Sequence, residues 1–236
     1  MTSLCRKIVA VPLITFEGHD GCGKSTQAKR LAAGLEKWGI RPAVLREPGG
    51  TLIGEAIRHL LQHSEDNQFM TPETELLLFQ AGRSQLVREK IQPALRSGEW
   101  VICNCFFDST TVYQGAARQL DLRLFKKLKV FAVGDCVSDL TFVLDIDRAT
   151  AQSRLGNGKK IRDRMEEESD EFHGRVVRAY RELAENEPRR VIPIDGRISP
   201  DTSRTNQEYI CSTLSRPRET SESKDQTPNI LNVFLR

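Results

Sequence analysis

The chain has no C-x-x-C pair and no internal repeat. Its six cysteines (Cys5, Cys22, Cys103, Cys105, Cys136 and Cys211) therefore outline no zinc site. Reduced thiols are expected, which suits a cytoplasmic protein. The four histidines, His19, His59, His63 and His173, read as bystanders. No apolar run approaches the roughly 18 residues of a membrane helix, so no membrane span is expected. Ile8-Val9-Ala10-Val11 follows Arg6 and Lys7, but Pro12 breaks it too soon for a signal peptide. Nor is there an excess of charge of one sign. The formal net charge is +3, so no nucleic-acid partner is expected. At 236 residues the chain suits one well-cored domain with insertions, or at most two small ones.

What is present begins with a glycine-rich turn. Gly18-His19-Asp20-Gly21-Cys22-Gly23-Lys24-Ser25 has the spacing G-x-x-x-x-G-K-[ST], with Thr26 next. Leu13-Ile14-Thr15-Phe16 ahead of it reads as a buried parallel strand. Behind it Ala28, Leu31, Ala32, Leu35 and Trp38 recur at helical spacing until Gly39. The glycines let backbone wrap a polyphosphate, and the helix start aims N–H groups and partial positive charge at it. Lys24 can reach the terminal phosphates and the Ser25 hydroxyl can ligate magnesium. A nucleoside triphosphate is the expected ligand.

Strand-like runs alternate with helical patterns, which predicts an α/β fold with a parallel sheet covered by helices. The strands expected are Leu13–Glu17, Ala43–Arg46, Trp100–Cys103, Leu140–Asp145 and Arg190–Ile194. A helix over 51–63 carries Ile53, Ile57, Leu60 and Leu61 on one face. Thr71-Pro72-Glu73 opens a longer helix through Leu76, Leu77, Phe79 and Leu86, with Pro93 expected to kink or end it. Further helices are expected over 122–135 and 172–185, the latter with a buried stripe of Phe172, Val176, Tyr180 and Leu183. Residues 154–164 carry Arg154, Lys159, Lys160, Arg162 and Arg164 against Asp163 alone, with Gly156 and Gly158 between them. They suit either a short basic lid over an anionic substrate or a solvated loop paired with the acids from Glu166 to Glu171. Residues 215–236 open on a polar stretch expected to be a disordered tail, which leaves one domain over 1–214.

Four further segments narrow the reading. Arg46-Glu47-Pro48-Gly49-Gly50-Thr51 follows the second strand, at the substrate-facing end of such a sheet. Phe79 and Arg83 lie one helical turn apart, on one face. Ser109-Thr110-Thr111-Val112-Tyr113-Gln114-Gly115 follows the third strand, and Asp163-Arg164-Met165-Glu166 closes the basic loop. Taken together, F-E-G-x-D-G-x-G-K-S-T-Q, R-E-P-G-G-T, E-L-L-L-F-x-A-x-R and Y-Q-G resemble bacterial thymidylate kinase, from about Pro12 to about Leu214.

The resemblance implies the phosphate-loop nucleoside monophosphate kinase fold, with five parallel strands and helices on both faces. It implies transfer of the γ-phosphoryl of ATP to dTMP with Mg2+, and a possible homodimer. Carried over by residue, Lys24 and the amides of Gly18, His19, Asp20, Gly21, Cys22, Gly23, Ser25 and Thr26 would hold the ATP phosphates. Ser25 would face the metal. Asp20 would meet the acceptor's 3′-hydroxyl and Arg46 its phosphate. Phe79 would stack on thymine, Arg83 would bond its carbonyl edge, and Thr110 and Gln114 would line the same pocket. Arg154 and Arg164 match lid arginines. With Lys24 and Arg46 they make up the candidate catalytic set. Gly21 stands where one family branch has a loop arginine, so that charge would come from the lid.

One triplet departs from the family. An Asp-Arg-aromatic sequence is expected after the third strand, and this chain has Asn104-Cys105-Phe106. The amide brings no charge, and the thiol cannot replace a bidentate phosphate contact. Arg46, Arg58 and the lid could stand in for the arginine, and Asp108 for the acid. The alternatives are a slow or silent nucleotide-binding member, or a kinase for another pyrimidine monophosphate.

Overall fold

The computed structural model describes residues 12–155 and 163–197. The N-terminal run before Pro12, most of the basic loop and the expected tail from 215 lie outside the described residues. Five parallel strands form one sheet: β1 (Leu13–Gly18), β2 (Ala43–Arg46), β3 (Val101–Asn104), β4 (Leu140–Asp145) and β5 (Val191–Asp195), in the order β2-β3-β1-β4-β5. All five lie within a residue or so of the runs expected from sequence. In register, Ile14 stands between Ile102 of β3 and Leu140 of β4.

Alternation along β1 divides the core in two, because successive strand side chains point to opposite faces. Ile14 and Phe16 pack with Phe142, Leu144 and Ile102 beneath α1 (Lys24–Glu36), against Ala28, Leu31 and Leu35. On the other face Leu13 joins Val101, Cys103 and the helical residues Leu86, Val87 and Ile91. Further along that face Val143 and Val191 meet Phe172, Val176 and Tyr180. Each fully buried side chain of this size contributes about 1.5–3 kcal/mol. Two such layers bury both faces of the sheet, as the run-like strands require.

Helix starts follow their caps. Thr51 accepts from Gly54 N–H at the start of α2 (Leu52–Gln62), and Thr71 accepts from Thr74 N–H before Pro72 opens α3 (Pro72–Leu86). The helix does not end at Pro93. It widens into a π-helical turn, Val87–Ile91, then continues as α4 (Gln92–Arg96), with Pro93 in the first turn. There its missing N–H costs least, so it is tolerated rather than disruptive.

After β3 comes a helix that spacing did not reveal, α5 (Phe107–Thr110), running into a π-helical turn over Thr111–Ala117. Then come α6 (Leu122–Val133), α7 (Arg148–Leu155) and α8 (Asp170–Asn186), capped by Ser169. Helix α7 was missed because only Ala151 of it is buried, which leaves no apolar stripe. Leu77, next to the buried Leu76, is 54% exposed on the outer face of α3. Leu183 is only partly buried at the end of its stripe.

Candidate active site

The carboxyl ends of β1, β2 and β3 open into one cleft of about 850 Å³. Such an end is where ligands sit in open parallel sheets, since the loops there are free to vary around a fixed frame.

At its centre the Gly18–Lys24 loop needs left-handed backbone at Gly18, Gly21 and Gly23, which only glycine adopts cheaply. Gly21 is also closed to side chains, because a Cβ there would lie 2.5 Å from the Ala151 carbonyl oxygen of α7. This accounts for glycine where one family branch carries an arginine. Lys24 lies across the loop, its Nζ donating to the Gly18 and His19 carbonyls at 2.8 Å and reaching Asp20 Oδ1 at 3.4 Å. Ser25 and Thr26 follow on the cleft wall. His19 and Cys22 point away from it. Cys22 joins the core, and His19 packs against His173 with ring centroids 5.5 Å apart. Burial, then His173 and Lys24, lowers the His19 pKa to about 4, so the ring stays neutral.

Beyond the loop, Arg46 and Arg58 converge. Both donate to the Pro48 carbonyl, at 3.3 and 3.0 Å. Two guanidiniums so close repel, and burial together with Arg46 lowers the Arg58 pKa. Arg46 Nη2 is met by both oxygens of Glu55, at 2.9 and 2.8 Å. The same Glu55 accepts from Gly50 N–H at 2.7 Å, so carboxylate, guanidinium and glycine turn form one unit.

Phe79 lines the cleft from α3, with Arg83 one turn further on. Arg83 is 2% exposed and fully committed on one side. It donates to Glu47 Oε2 from Nε at 2.8 Å and Nη2 at 2.6 Å, and to Thr110 Oγ1 at 2.7 Å. Gln114 lines the same end and donates from Nε2 to the buried Glu75.

Arg154, at the end of α7, also lines the cleft and is held by the Gly196 and Arg197 carbonyls at 2.7 and 3.1 Å. Arg164 is not among the lining residues; its guanidinium pairs with Glu75 beneath the wall formed by Asp163, Met165 and Glu166. Lys159, Lys160 and Arg162 lie outside the described residues.

The departing triplet forms the cleft floor. Asn104 Nδ2 donates to Ser25 Oγ at 2.7 Å. Cys105 has φ 61°, an uncommon conformation for a residue with a side chain. Burial pushes its thiol up to about 12, so it is uncharged. Beneath lies Glu17, wholly buried, accepting from Phe106 N–H at 2.7 Å and from the hydroxyls of Ser109 and Tyr180. Burial, then Asp108, raises its pKa to about 8. Asp108 itself does not replace the missing acid. Its carboxylate faces away from the cleft and is taken by Arg190, at 2.6 and 3.0 Å, and Thr141.

The family model described as thymidylate kinase matches residues 16–205 of this chain. The chain belongs to the thymidylate kinase family. It is 45% identical over 197 residues to thymidylate kinase of Geobacter sulfurreducens, covering 81% of this chain and 92% of that protein. Against the enzyme of a Nostoc species the identity is 39% over 198 residues, 84% of this chain and 94% of the other. The crystal structure of thymidylate kinase from Ehrlichia chaffeensis superposes with a TM-score of 0.67 at 31% identity, over 85% of this chain and 99% of that one. Within this thymidylate kinase family frame the sequence reading overlooked four buried or paired acids, Glu17, Glu47, Glu55 and Glu75. A signal existed for three of them: Glu17, Glu47 and Glu75 each stand inside a motif beside apolar residues, where an unpaired buried charge is too costly to keep, whereas the exposed Glu55 gave none.

Proposed function

We propose that the chain is an ATP-dependent dTMP kinase that forms dTDP and ADP for DNA precursor supply. One observation carries the reading. A single cleft is lined together by the phosphate loop, by Arg46 and Arg58, and by Phe79, Arg83 and Gln114. Phosphoryl transfer needs two anionic groups aligned and their repulsion cancelled more than it needs covalent help.

In this reading the loop amides and Lys24 hold the donor phosphates, and Arg154 adds charge from α7. Arg46 and Arg58 take the acceptor phosphate, whose charge relieves their mutual repulsion. Phe79 offers a stacking face and Arg83 a donor to a ring carbonyl, while Thr110 keeps Arg83 in place. Asp20 meets the acceptor sugar.

Magnesium fits the donor set. Mg2+ is usually held by one or two protein oxygens together with phosphates and waters, not by a protein cage. Ser25 Oγ, beside Lys24, and the Asn104 amide, bonded to it, suit such a site. When bound, the ion offsets phosphate charge. The residues that would hold it are Ser25 directly and Asn104 through water.

Two further parts of the reading concern the whole protein. Ile53 and Leu60 on α2, Leu77 on α3 and Leu124 and Phe131 on α6 leave apolar area in solvent, which supports a homodimer through these helices. A gel-filtration mass near one chain would remove it. Cys22, Cys103, Cys105 and Cys136 are free thiols, which supports a cytoplasmic setting.

The test is a coupled ADP-release assay with dTMP, dUMP and UMP in parallel. Turnover with dTMP, fastest of the three, is expected. Calorimetric binding of both nucleotides without turnover would instead favour a silent member.

A further inference from the structure

Glu75 is wholly buried, on α3 one turn ahead of Phe79. Its two oxygens are met by donors from two other parts of the cleft wall. Gln114 Nε2 reaches Oε1 at 2.6 Å, from the π-helical turn after α5. Arg118 donates to both oxygens, from Nε to Oε1 at 3.3 Å and from Nη2 to Oε2 at 3.0 Å. Arg164, from the segment beyond the basic loop, pairs with Oε2. Glu168 also binds Arg118, so two carboxylates face two guanidiniums.

The bond to Gln114 has a chemical consequence. An amide side chain has a donor end and an acceptor end, and only its partners decide which way it points. The carboxylate of Glu75, already bound by two guanidiniums, offers lone pairs and no proton. It therefore takes the amide nitrogen, and Gln114 Oε1 is the atom left for a ligand in the cleft that this residue lines.

We infer that Glu75 is a specificity-positioning residue: by fixing the Gln114 amide it makes the acceptor pocket select an imide N–H. This rests on the acceptor reading given above. Thymine and uracil carry such an N–H between two ring carbonyls, whereas cytosine has a bare acceptor nitrogen at that position. Set against cytosine, Gln114 Oε1 would meet another lone pair and remain unpaired in a dry site, which is where discrimination is steepest. Arg118 and Arg164 act on the substrate only through Glu75. That gives Arg164 a role as an anchor of the Asp163–Glu166 wall, rather than as a group touching nucleotide.

The experiment compares kcat/KM for dTMP and dCMP in the wild type, Glu75→Gln and Glu75→Asp. Glutamine at 75 can donate, so the Gln114 amide is free to turn. The dTMP to dCMP ratio is expected to fall by tenfold or more, on the order of one well-made hydrogen bond. Aspartate keeps an acceptor and should keep most of the preference. Loss of general packing would lower both rates together and leave the ratio unmoved, so an unchanged ratio in a folded Glu75→Gln overturns the inference. Should that variant fail to fold, binding to the wild type decides. dCMP binding within a few-fold of dTMP overturns the inference, and dCMP binding weaker by about 10²-fold or more supports it. Failure of the wild type to bind or turn over dTMP would instead strike the kinase reading itself.

Discussion

Asn104 Nδ2 donates to Ser25 Oγ at 2.7 Å, tying the end of β3 to the first turn of α1. In the family an acid is expected at this position, and its carboxylate would accept from the hydroxyl rather than donate to it. The amide therefore reverses the polarity of the contact, at the residue best suited to meet the metal. The adjacent thiol is uncharged and cannot substitute for a guanidinium.

The departure gives the first prediction. Asn104→Asp with Cys105→Arg is expected to raise kcat, and by as much as 10²–10³ if each replaced group is a lost transition-state contact. Left-handed backbone at 105 is no harder for arginine than for cysteine, since both carry a Cβ. Turnover of the double variant at saturating Mg2+ and both nucleotides is the measurement. If it is no faster, Arg46, Arg58 and Arg154 already supply the missing charge.

Lys24→Ala removes a side chain that bonds the Gly18 and His19 carbonyls of the loop from within. Transfer should drop by 10² or more, the usual scale for one preorganised charge contact. Its effect should fall on kcat and not on acceptor KM, as the loop faces the donor. Unchanged ADP release would count heavily against the loop assignment.

Glu55→Ala releases Arg46 and the Gly50 amide together. Arg46 is exposed, and its other bond, to the Pro48 carbonyl, is longer at 3.3 Å. The dTMP KM is expected to rise on the order of tenfold, or about 1.4 kcal/mol, with ATP KM unchanged. A fall in dTMP KM would mean that Glu55 competes with the substrate phosphate.

Two buried groups set opposite slopes of stability against pH. Glu17 is raised by burial from 4.5 to about 8, so the folded state holds its proton longer. Its contribution is complete below 4.5 and is lost as pH rises through 8, at no more than roughly 1.4 kcal/mol per unit. His19 is lowered from 6.5 to about 4, so its contribution is present above 6.5 and lost as pH falls through 4. Urea melts of Glu17→Gln should lack the first slope, and those of His19→Gln the second. Parallel wild-type and variant curves would refute either assignment.

Sequence carried the frame of the site more clearly than its fine wiring. Strands β1, β3 and β4 are legible because buried parallel strands are continuous apolar runs, the half-exposed edge strands β2 and β5 because they are short apolar runs between helical patterns, and the phosphate loop because of its spacing. Arg46, Phe79, Arg83 and Gln114 reach one cleft as the motifs implied. What could not be read is which partner each charge takes. Asp108 was a candidate for the missing acid, yet it serves Arg190, far along the chain. Arg164 matched a lid arginine of the candidate catalytic set, and its guanidinium turns to Glu75. Such choices depend on where distant elements pack, not on local spacing. Helix α7 escaped for a related reason, since it rests on the loop by backbone contact and shows almost no apolar face.

Because Gly21 has no side chain, the first turns of α7 press directly onto the backbone of the glycine-rich loop. Arg154 stands at the far tip of that short rod. Loop curl and guanidinium thus belong to one rigid piece of scaffold, which fixes where a positive charge meets the cleft relative to the glycine turn.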